Sequence, residues 1–412
     1  MLSESSCGCL IDGCGCFRLA EKIERKKEMD PQETAGKPIR CKAAICRKPG
    51  EALLIEEIEV APPKALEVRI KLICASLCHS DLTFWKPSPG FPSLFPRIFG
   101  HEGVGVVESV GEGVEEVKQG DVVLPVFLPH CGECRNCKSS KSNMCSKFLI
   151  KFGNGMPRDG SSRFKDSNGE PIHHFLFVSS FSQYTVVDVF HVVKINPQMP
   201  LPAACLLSCG VTTGVYAAWK VAEVEEGSTV AIFGLGTVGL AVAEGARTQG
   251  ASKIIGVDLN PHKFELGKRF GLTDYINPTY CVENRVAEVI REMTDGGADY
   301  CFECVGLASL MQDAFNSCRE GGGKTVVLGA EMHGSPLSLD SRHILTGKTI
   351  TGSLLGGCNP KSDIPVLAQK YLNKEVRLDE FVTHEVSLRD INRAFDLLLQ
   401  AECLRCIIWM DK

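Results

Sequence analysis

Strict alternation of apolar and polar positions marks the first third of the chain. Leu53-Leu54-Ile55-Glu56-Glu57-Ile58-Glu59-Val60 and Glu67-Val68-Arg69-Ile70-Lys71-Leu72-Ile73 follow the two-residue period of half-buried strands, with Pro62-Pro63 breaking the run between them. Val104 to Val110 and Asp121 to Val126 continue the pattern, with glycine at the turns. A β-rich domain is therefore expected from Ile39 to about Val126. Residues 146 to 180 read as a polar loop rich in Gly and Ser.

After Cys209 the pattern changes. Ser228-Thr229-Val230-Ala231-Ile232-Phe233 is a short apolar run with no alternation, as in a strand buried on both faces. Gly234-Leu235-Gly236-Thr237-Val238-Gly239 follows at once, and Leu240 to Gln249 has helical character. A second such strand, Lys253 to Val257, ends in Asp258, nineteen residues past Gly239. In this context Gly234, Gly236 and Gly239 allow a tight turn and close approach of backbone to a pyrophosphate, the helix N-terminus meets its charge, and the acid accepts from ribose hydroxyls. Further alternation continues the scheme: Tyr275 to Asn277, a helix over Arg285 to Met293, Tyr300 to Cys304, a helix over Ser309 to Cys318, and Lys324 to Gly329. This predicts a doubly wound α/β sheet complete by about residue 353. The chain then returns to the first domain, with helices near Ile364 to Leu372 and Leu388 to Ala401 and a last strand at Cys406 to Trp409.

At 412 residues the chain exceeds one ordinary core. Its net charge of -5 gives no electrostatic footprint for nucleic acid or an anionic membrane, and no apolar run reaches transmembrane length. The 21 cysteines, in a chain without a secretory signal, point to bound metal and reduced thiols in the cytosol rather than to a disulfide scaffold. Residues 1 to 30 stand apart, with Cys7-Gly8-Cys9, Cys14-Gly15-Cys16 and a charged run before Met29. A disordered extension over 1–37, or an upstream start with Met29 the true initiator, is the expectation.

Two groups of residues carry chemistry. Cys78, in Leu77-Cys78-His79-Ser80-Asp81, and His101, in Gly100-His101-Glu102-Gly103, offer a thiolate and an imidazole. Cys209, in Ser208-Cys209-Gly210, is the candidate third ligand of a catalytic zinc with one position left open. Two thiolates and a neutral imidazole leave that centre formally uncharged, so a bound alcohol or water loses its proton near neutral pH. Asp81 and Glu102 lie close enough in sequence to orient the ligands. The second group is Cys131-x2-Cys134-x2-Cys137-x7-Cys145, whose spacing lets one loop wrap a closed Cys₄ zinc site, with an iron–sulfur cluster as the alternative.

Together these motifs, with Val211-Thr212-Thr213-Gly214, resemble the zinc-containing medium-chain alcohol dehydrogenases, most closely those of plants, over residues 38 to 412. The resemblance implies a GroES-like catalytic domain (38–210 and 354–412) around a Rossmann NAD-binding domain (211–353), in a homodimer. It implies two zinc ions per chain and oxidation of a small alcohol to an aldehyde or ketone. By the same resemblance Ser80 takes the alcohol proton and passes it to the nicotinamide ribose. His79 and Arg405 match pyrophosphate contacts, Asp258 and Lys263 adenosine-ribose contacts, Thr213 a nicotinamide contact, and Phe127 a lining of the substrate channel. Where some relatives continue the proton relay through a His, this chain has Thr83. Glutathione-dependent formaldehyde dehydrogenases of the family carry an Arg four residues beyond the last structural Cys, and this chain has Leu149. Simple alcohols are thus the expected substrates, S-(hydroxymethyl)glutathione the alternative, and a catalytically silent fold relative the reading from another class.

Overall fold

The computed structural model describes residues 34, 36–86, 94–148, 155–281, 286–332 and 334–412. The cysteines of residues 1–30, Met29, Pro87, Pro89, Pro92, Leu149 and Lys151 lie outside them.

The alternating segments form two sheets. In the first, Ile39–Cys46 and Leu54–Val60 pair antiparallel, flanked by Arg97–Ile98 and by Phe164–Lys165 with Pro171–Ile172. In the second, Glu67–Ser76 is central, antiparallel to Glu102–Val110, Tyr184–Asp188 and Arg405–Trp409. Its register decides where the chemistry goes. Ser76 faces Glu102 on one side and Ile407 on the other, so Cys78, His101 and Arg405 all emerge at the same end.

The third sheet has six strands, all parallel, with Thr229–Phe233 between Lys253–Val257 and Tyr300–Glu303. Asp274–Ile276 closes one edge, and Lys324–Val327 and Thr349–Gly352 the other. Numbered by sequence within this sheet the order is 3-2-1-4-5-6, that of a doubly wound dinucleotide fold. Helices Leu201–Leu206 and Gly210–Tyr216 connect the second sheet to the third. Gly210–Tyr216 packs directly on Thr237–Thr248, since a Cβ at Gly214 would lie 2.3 Å from the Val238 carbonyl oxygen. The fold is thus a GroES-like β-rich part with a Rossmann α/β part.

Residues 146–180 correct the expectation of a polar loop. They include the hairpin Phe164–Lys165 and Pro171–Ile172, and bury Phe164, Phe175 and Phe177 in the interior. The strands Tyr184–Asp188, Val192–Lys194 and Val382–Ser387 were also absent from the sequence pattern.

Candidate active site

Cys78 caps the helix His79–Trp85 just beyond the end of the central strand. Asp81, in the helix's first turn and fully buried, turns its carboxylate back: Oδ2 accepts from the Cys78 amide at 2.9 Å. Oδ1 accepts from the Gly100 amide at 3.1 Å and lies 3.2 Å from Nδ1 of His101. Gly100 has a φ of +92°, and a Cβ there would meet Ser180 Oγ at 2.4 Å, so only glycine fits the corner that presents His101. Cys209 enters from the helix pair described above. Ligand atoms of Cys78, His101, Cys209 and Glu102 all lie within 4.8 Å of one another. A soft–borderline S₂N set with an adjacent carboxylate suits zinc.

Glu102 is fully buried and is held by Arg405, itself 4% exposed. Arg405 donates from Nε to Oε2 at 3.0 Å and from Nη2 to Oε1 at 2.9 Å. The same Nη2 donates to Cys78 Sγ at 3.2 Å, while Nη1 donates to Thr237 Oγ1 at 2.8 Å and to the Leu404 carbonyl at 3.1 Å. The Gly210 amide also donates to Glu102, at 3.1 Å. These partners set the ionisation. The Cys209 thiol, ahead of Arg405 and His101 and against burial, holds Cys78 well below the ordinary thiol value; Cys209 is correspondingly raised, by Cys78 and by burial. Burial alone lowers His101, yet Asp81 and then Cys78 hold it well above the usual imidazole value.

The Phe127 and Phe175 rings flank His101 edge-on, at 6.0 and 5.9 Å between centroids. Ser80 is half-buried, its Oγ 3.9 Å from Cys78 Sγ. His79 is exposed, and Thr83 donates to the His79 carbonyl at 3.0 Å. Phe175 was missed because it sits in the apolar run Phe175-Leu176-Phe177-Val178, where nothing sets it apart from core residues.

The three glycines of the nucleotide motif have separate reasons. Gly234 has φ +92° and its Cβ would meet Val305 at 2.5 Å; a Cβ at Gly239 would lie 1.9 Å from the Gly234 carbonyl oxygen. At Gly236 a Cβ would meet no protein atom within 4 Å, so the space it leaves at the N-terminus of Thr237–Thr248 is room for a ligand. Asp258 accepts from the amides of Leu235 and Asn260, each at 2.8 Å, and Lys263 Nζ lies 3.5 Å from its Oδ2. Thr213 donates to the Cys209 carbonyl at 2.8 Å, which ties the nicotinamide candidate to a candidate metal ligand. The Thr237 hydroxyl, bridging this motif to Arg405, was not singled out from the sequence, although it adjoins Gly236.

Cys131, Cys134, Cys137 and Cys145 converge at a second centre, again with sulfurs within 4.8 Å. Amides of Glu133 and Cys134 point at Cys131 Sγ, and those of Cys137 and Ser146 at Cys134 Sγ, at 3.4–3.5 Å. Burial raises Cys134, but the Ser146 side chain and the Cys137 and Ser146 amides bring it down to about 5, while burial and Cys134 push Cys137 up to about 12. Every cysteine among the described residues is free of disulfide bonds.

Residues 64–197 match the alcohol dehydrogenase GroES-like domain model, and residues 237–373 the zinc-binding dehydrogenase model. The chain is 65% identical over 378 residues to alcohol dehydrogenase-like 1 of Arabidopsis thaliana, covering 92% of this chain and 97% of that one. It is 49% identical to alcohol dehydrogenase class-3 of Oryza sativa subsp. japonica, over 92% of this chain and 99% of that one. Among solved structures it resembles an alcohol dehydrogenase zinc-binding domain protein of Burkholderia ambifaria, with a TM-score of 0.84 and 32% identity over 91% of this chain and 100% of the other.

Proposed function

Since this chain belongs to the zinc-containing medium-chain alcohol dehydrogenase family, we propose that it is a zinc-dependent enzyme that transfers hydride reversibly between an alcohol and NAD. The observation that carries the reading is the convergence of Cys78, His101 and Cys209, joined through Arg405 and Thr237 to the N-terminus of the nucleotide-binding helix. When bound, zinc at these three ligands supplies a Lewis acid for the alcohol oxygen, and NAD⁺ supplies the hydride acceptor.

The chain's own residues do the rest. Asp81 holds the backbone of both Cys78 and Gly100 and fixes the His101 ring through Nδ1, which leaves Nε2 to ligate the metal. Ser80 takes the alcohol proton and relays it to the nicotinamide ribose. Beyond it the chain has Thr83 in place of an imidazole, and its hydroxyl donates to the His79 carbonyl. Phe127 and Phe175 keep water from the reacting centre. Gly234, Gly236 and Gly239 with the helix N-terminus take the pyrophosphate, alongside His79 and Arg405; Asp258 and Lys263 take the adenosine ribose, and Thr213 the nicotinamide. We assign 38–210 and 354–412 to the catalytic domain and 211–353 to the coenzyme domain. Cys131, Cys134, Cys137 and Cys145 hold a second, structural zinc.

A homodimer is supported by the edge strand Thr349–Gly352 of the described sheet and by the exposed Leu337, Ile344 and Leu345 that precede it in the chain. The two sets of free thiol ligands fit the reducing cytosol. No helix among the described residues is long and apolar enough to cross a membrane. For substrate we infer simple primary alcohols over S-(hydroxymethyl)glutathione, because Leu149 offers no charged donor to a carboxylate. Lys147, two residues earlier in the chain, is paired with Glu133. Metal analysis with steady-state kinetics tests all of this. Near two zinc per chain, NAD⁺-dependent oxidation of primary alcohols and little use of the glutathione adduct are expected; a metal-free, inactive protein would mark a silent relative and sink the reading.

A further inference from the structure

We propose that Asn143 is a positioning residue for coenzyme binding, coupling the Cys₄ lobe to the helix that bears Thr213; the coenzyme part of this rests on the dehydrogenase reading. Asn143 lies between Cys137 and Cys145 and is 5% exposed, but its side chain leaves the lobe. Nδ2 donates one hydrogen bond to the Leu354 carbonyl at 2.8 Å and another to the Cys358 carbonyl at 3.1 Å. Two carbonyl acceptors require the NH₂ end of the amide, so its orientation is determined.

The turn between those carbonyls is unusual. Leu355, Gly356 and Gly357 have φ values of 50°, 63° and 70°, three successive left-handed residues of which one carries a branched side chain. A left-handed leucine costs free energy and persists only where its surroundings hold it. The Asn143 amide spans the turn from the residue before it to the residue after it, and so fixes both ends. Leu355 itself is buried.

What the turn touches gives the staple its purpose. A Cβ at Gly356 would lie 2.3 Å from the Thr213 carbonyl oxygen, 2.7 Å from the Ala217 amide nitrogen and 3.1 Å from the Thr212 carbonyl oxygen. The turn's backbone therefore lies directly on the backbone of Gly210–Tyr216. That helix starts next to Cys209, and its Thr213 hydroxyl and amide both donate to the Cys209 carbonyl, at 2.8 Å each. A turn and a helix so closely packed shift together, since neither surface has a flexible side chain to absorb the displacement. Releasing the turn thus frees the helix carrying Thr213, while the four thiols of the lobe keep their own hydrogen bonds.

Three variants of the full-length, zinc-loaded protein test this. Asn143→Asp keeps the shape but turns an acceptor toward two carbonyls, Asn143→Ala removes the bridge, and Asn143→Ser retains one donor. Hydrogen exchange should rise across 210–217 and 354–358 in Asp and Ala, less in Ser, with zinc content and exchange in 131–145 unchanged. The Kd for NADH should rise about tenfold in Asp, equal to about 1.4 kcal/mol, and KM for NAD⁺ with it, while KM for the alcohol is unmoved. Combined with Thr213→Ala the effects on coenzyme binding should fall short of additive. Exchange confined to the lobe, loss of zinc in all three variants, or unchanged NADH affinity would overturn the proposal. If the wild type binds no NADH, the dehydrogenase reading fails on its own, and the exchange in 210–217 still decides the link between lobe and helix.

Discussion

Asp81→Asn is the sharpest test of the proposed catalytic metal centre. Three donors converge on the two oxygens of this fully buried carboxylate: the Cys78 amide on Oδ2, and the Gly100 amide and His101 Nδ1 on Oδ1. An asparagine of the same shape has a single acceptor oxygen. If that oxygen faces Gly100 and His101, its NH₂ group opposes the Cys78 amide; if it faces Cys78, the NH₂ opposes the other two. At least one buried N–H loses its acceptor either way, at a cost of about 1–3 kcal/mol. That range corresponds to about 5–150-fold in an equilibrium constant, and it brackets the loss of about 10–100-fold usual when the group orienting a metal ligand is removed. Because the bonds fix the backbone at Cys78 and Gly100, the penalty falls on the geometry of two ligands at once. Zinc affinity at this centre should therefore drop by about one to two orders of magnitude, and activity with it, while the Cys₄ site serves as an internal control. Chelator competition followed by metal analysis measures the effect, with one of two zinc ions released early. Asp81→Asn binding both ions within about twofold of wild type would refute the argument.

Asp258→Ala should relax the preference for NAD over NADP, because it removes the charge that repels a 2′-phosphate and frees Lys263, now 3.5 Å from that carboxylate, to meet one; kcat/KM with both coenzymes is the measurement, and an unchanged ratio counts against it. Cys134→Ser should lower the melting temperature through loss of a closed metal site, whereas Cys209→Ser should abolish turnover with little change in melting. His174 is fully buried, accepts from the Arg163 amide at 3.0 Å, and is lowered by burial from 6.5 to about 3. The unfolded chain therefore takes up a proton below pH 6.5 that the folded chain refuses, and stability falls by about 1.4 kcal/mol per pH unit as pH drops toward that lowered value. His174→Gln keeps an acceptor without the titration, so denaturant midpoints between pH 6.5 and 4.5 should decline less steeply than in wild type; equal slopes would assign the acid sensitivity elsewhere.

What the sequence made legible was chemistry whose partners lie close along the chain. Asp81 stands three residues from Cys78, Glu102 next to His101, and the four lobe cysteines within one loop, so spacing alone suffices to group them. The parallel strands were legible because burial on both faces gives continuous apolar runs such as Val230 to Phe233. Sheet register hid the rest. Val382–Ser387 alternates only weakly in burial, and takes strand form because Arg405–Trp409 lies beside it in parallel. Phe175 reaches His101 across a hairpin that no local pattern announces, and the donors of Asn143 meet carbonyls more than two hundred residues away.

Arg405 illustrates what a motif leaves out. The resemblance offers it as a pyrophosphate contact, but a guanidinium has five N–H groups, and all five are donated here within the protein: one from Nε, two from Nη1 and two from Nη2. Any phosphate contact must displace or share one of these. The least costly to yield is the 3.1 Å bond to the neutral Leu404 carbonyl, since those to Glu102 and Cys78 are reinforced by charge. Keeping Glu102 matters for the metal centre's charge. Paired with Arg405, its carboxylate is neutralised, so two thiolates and one imidazole leave a bound zinc formally uncharged, the condition for deprotonating an alcohol near neutral pH. Were Arg405 to turn wholly to the coenzyme, an unpaired carboxylate would remain buried among the ligand atoms and disfavour the developing negative charge on the substrate oxygen. The Thr237 hydroxyl, on the first residue of the helix Thr237–Thr248, keeps Nη1 at the edge of the proposed phosphate site without drawing the guanidinium away from Glu102. On the proposed reading one cation thereby serves both halves of the site, and the interstrand register at Ser76 is what delivers it there.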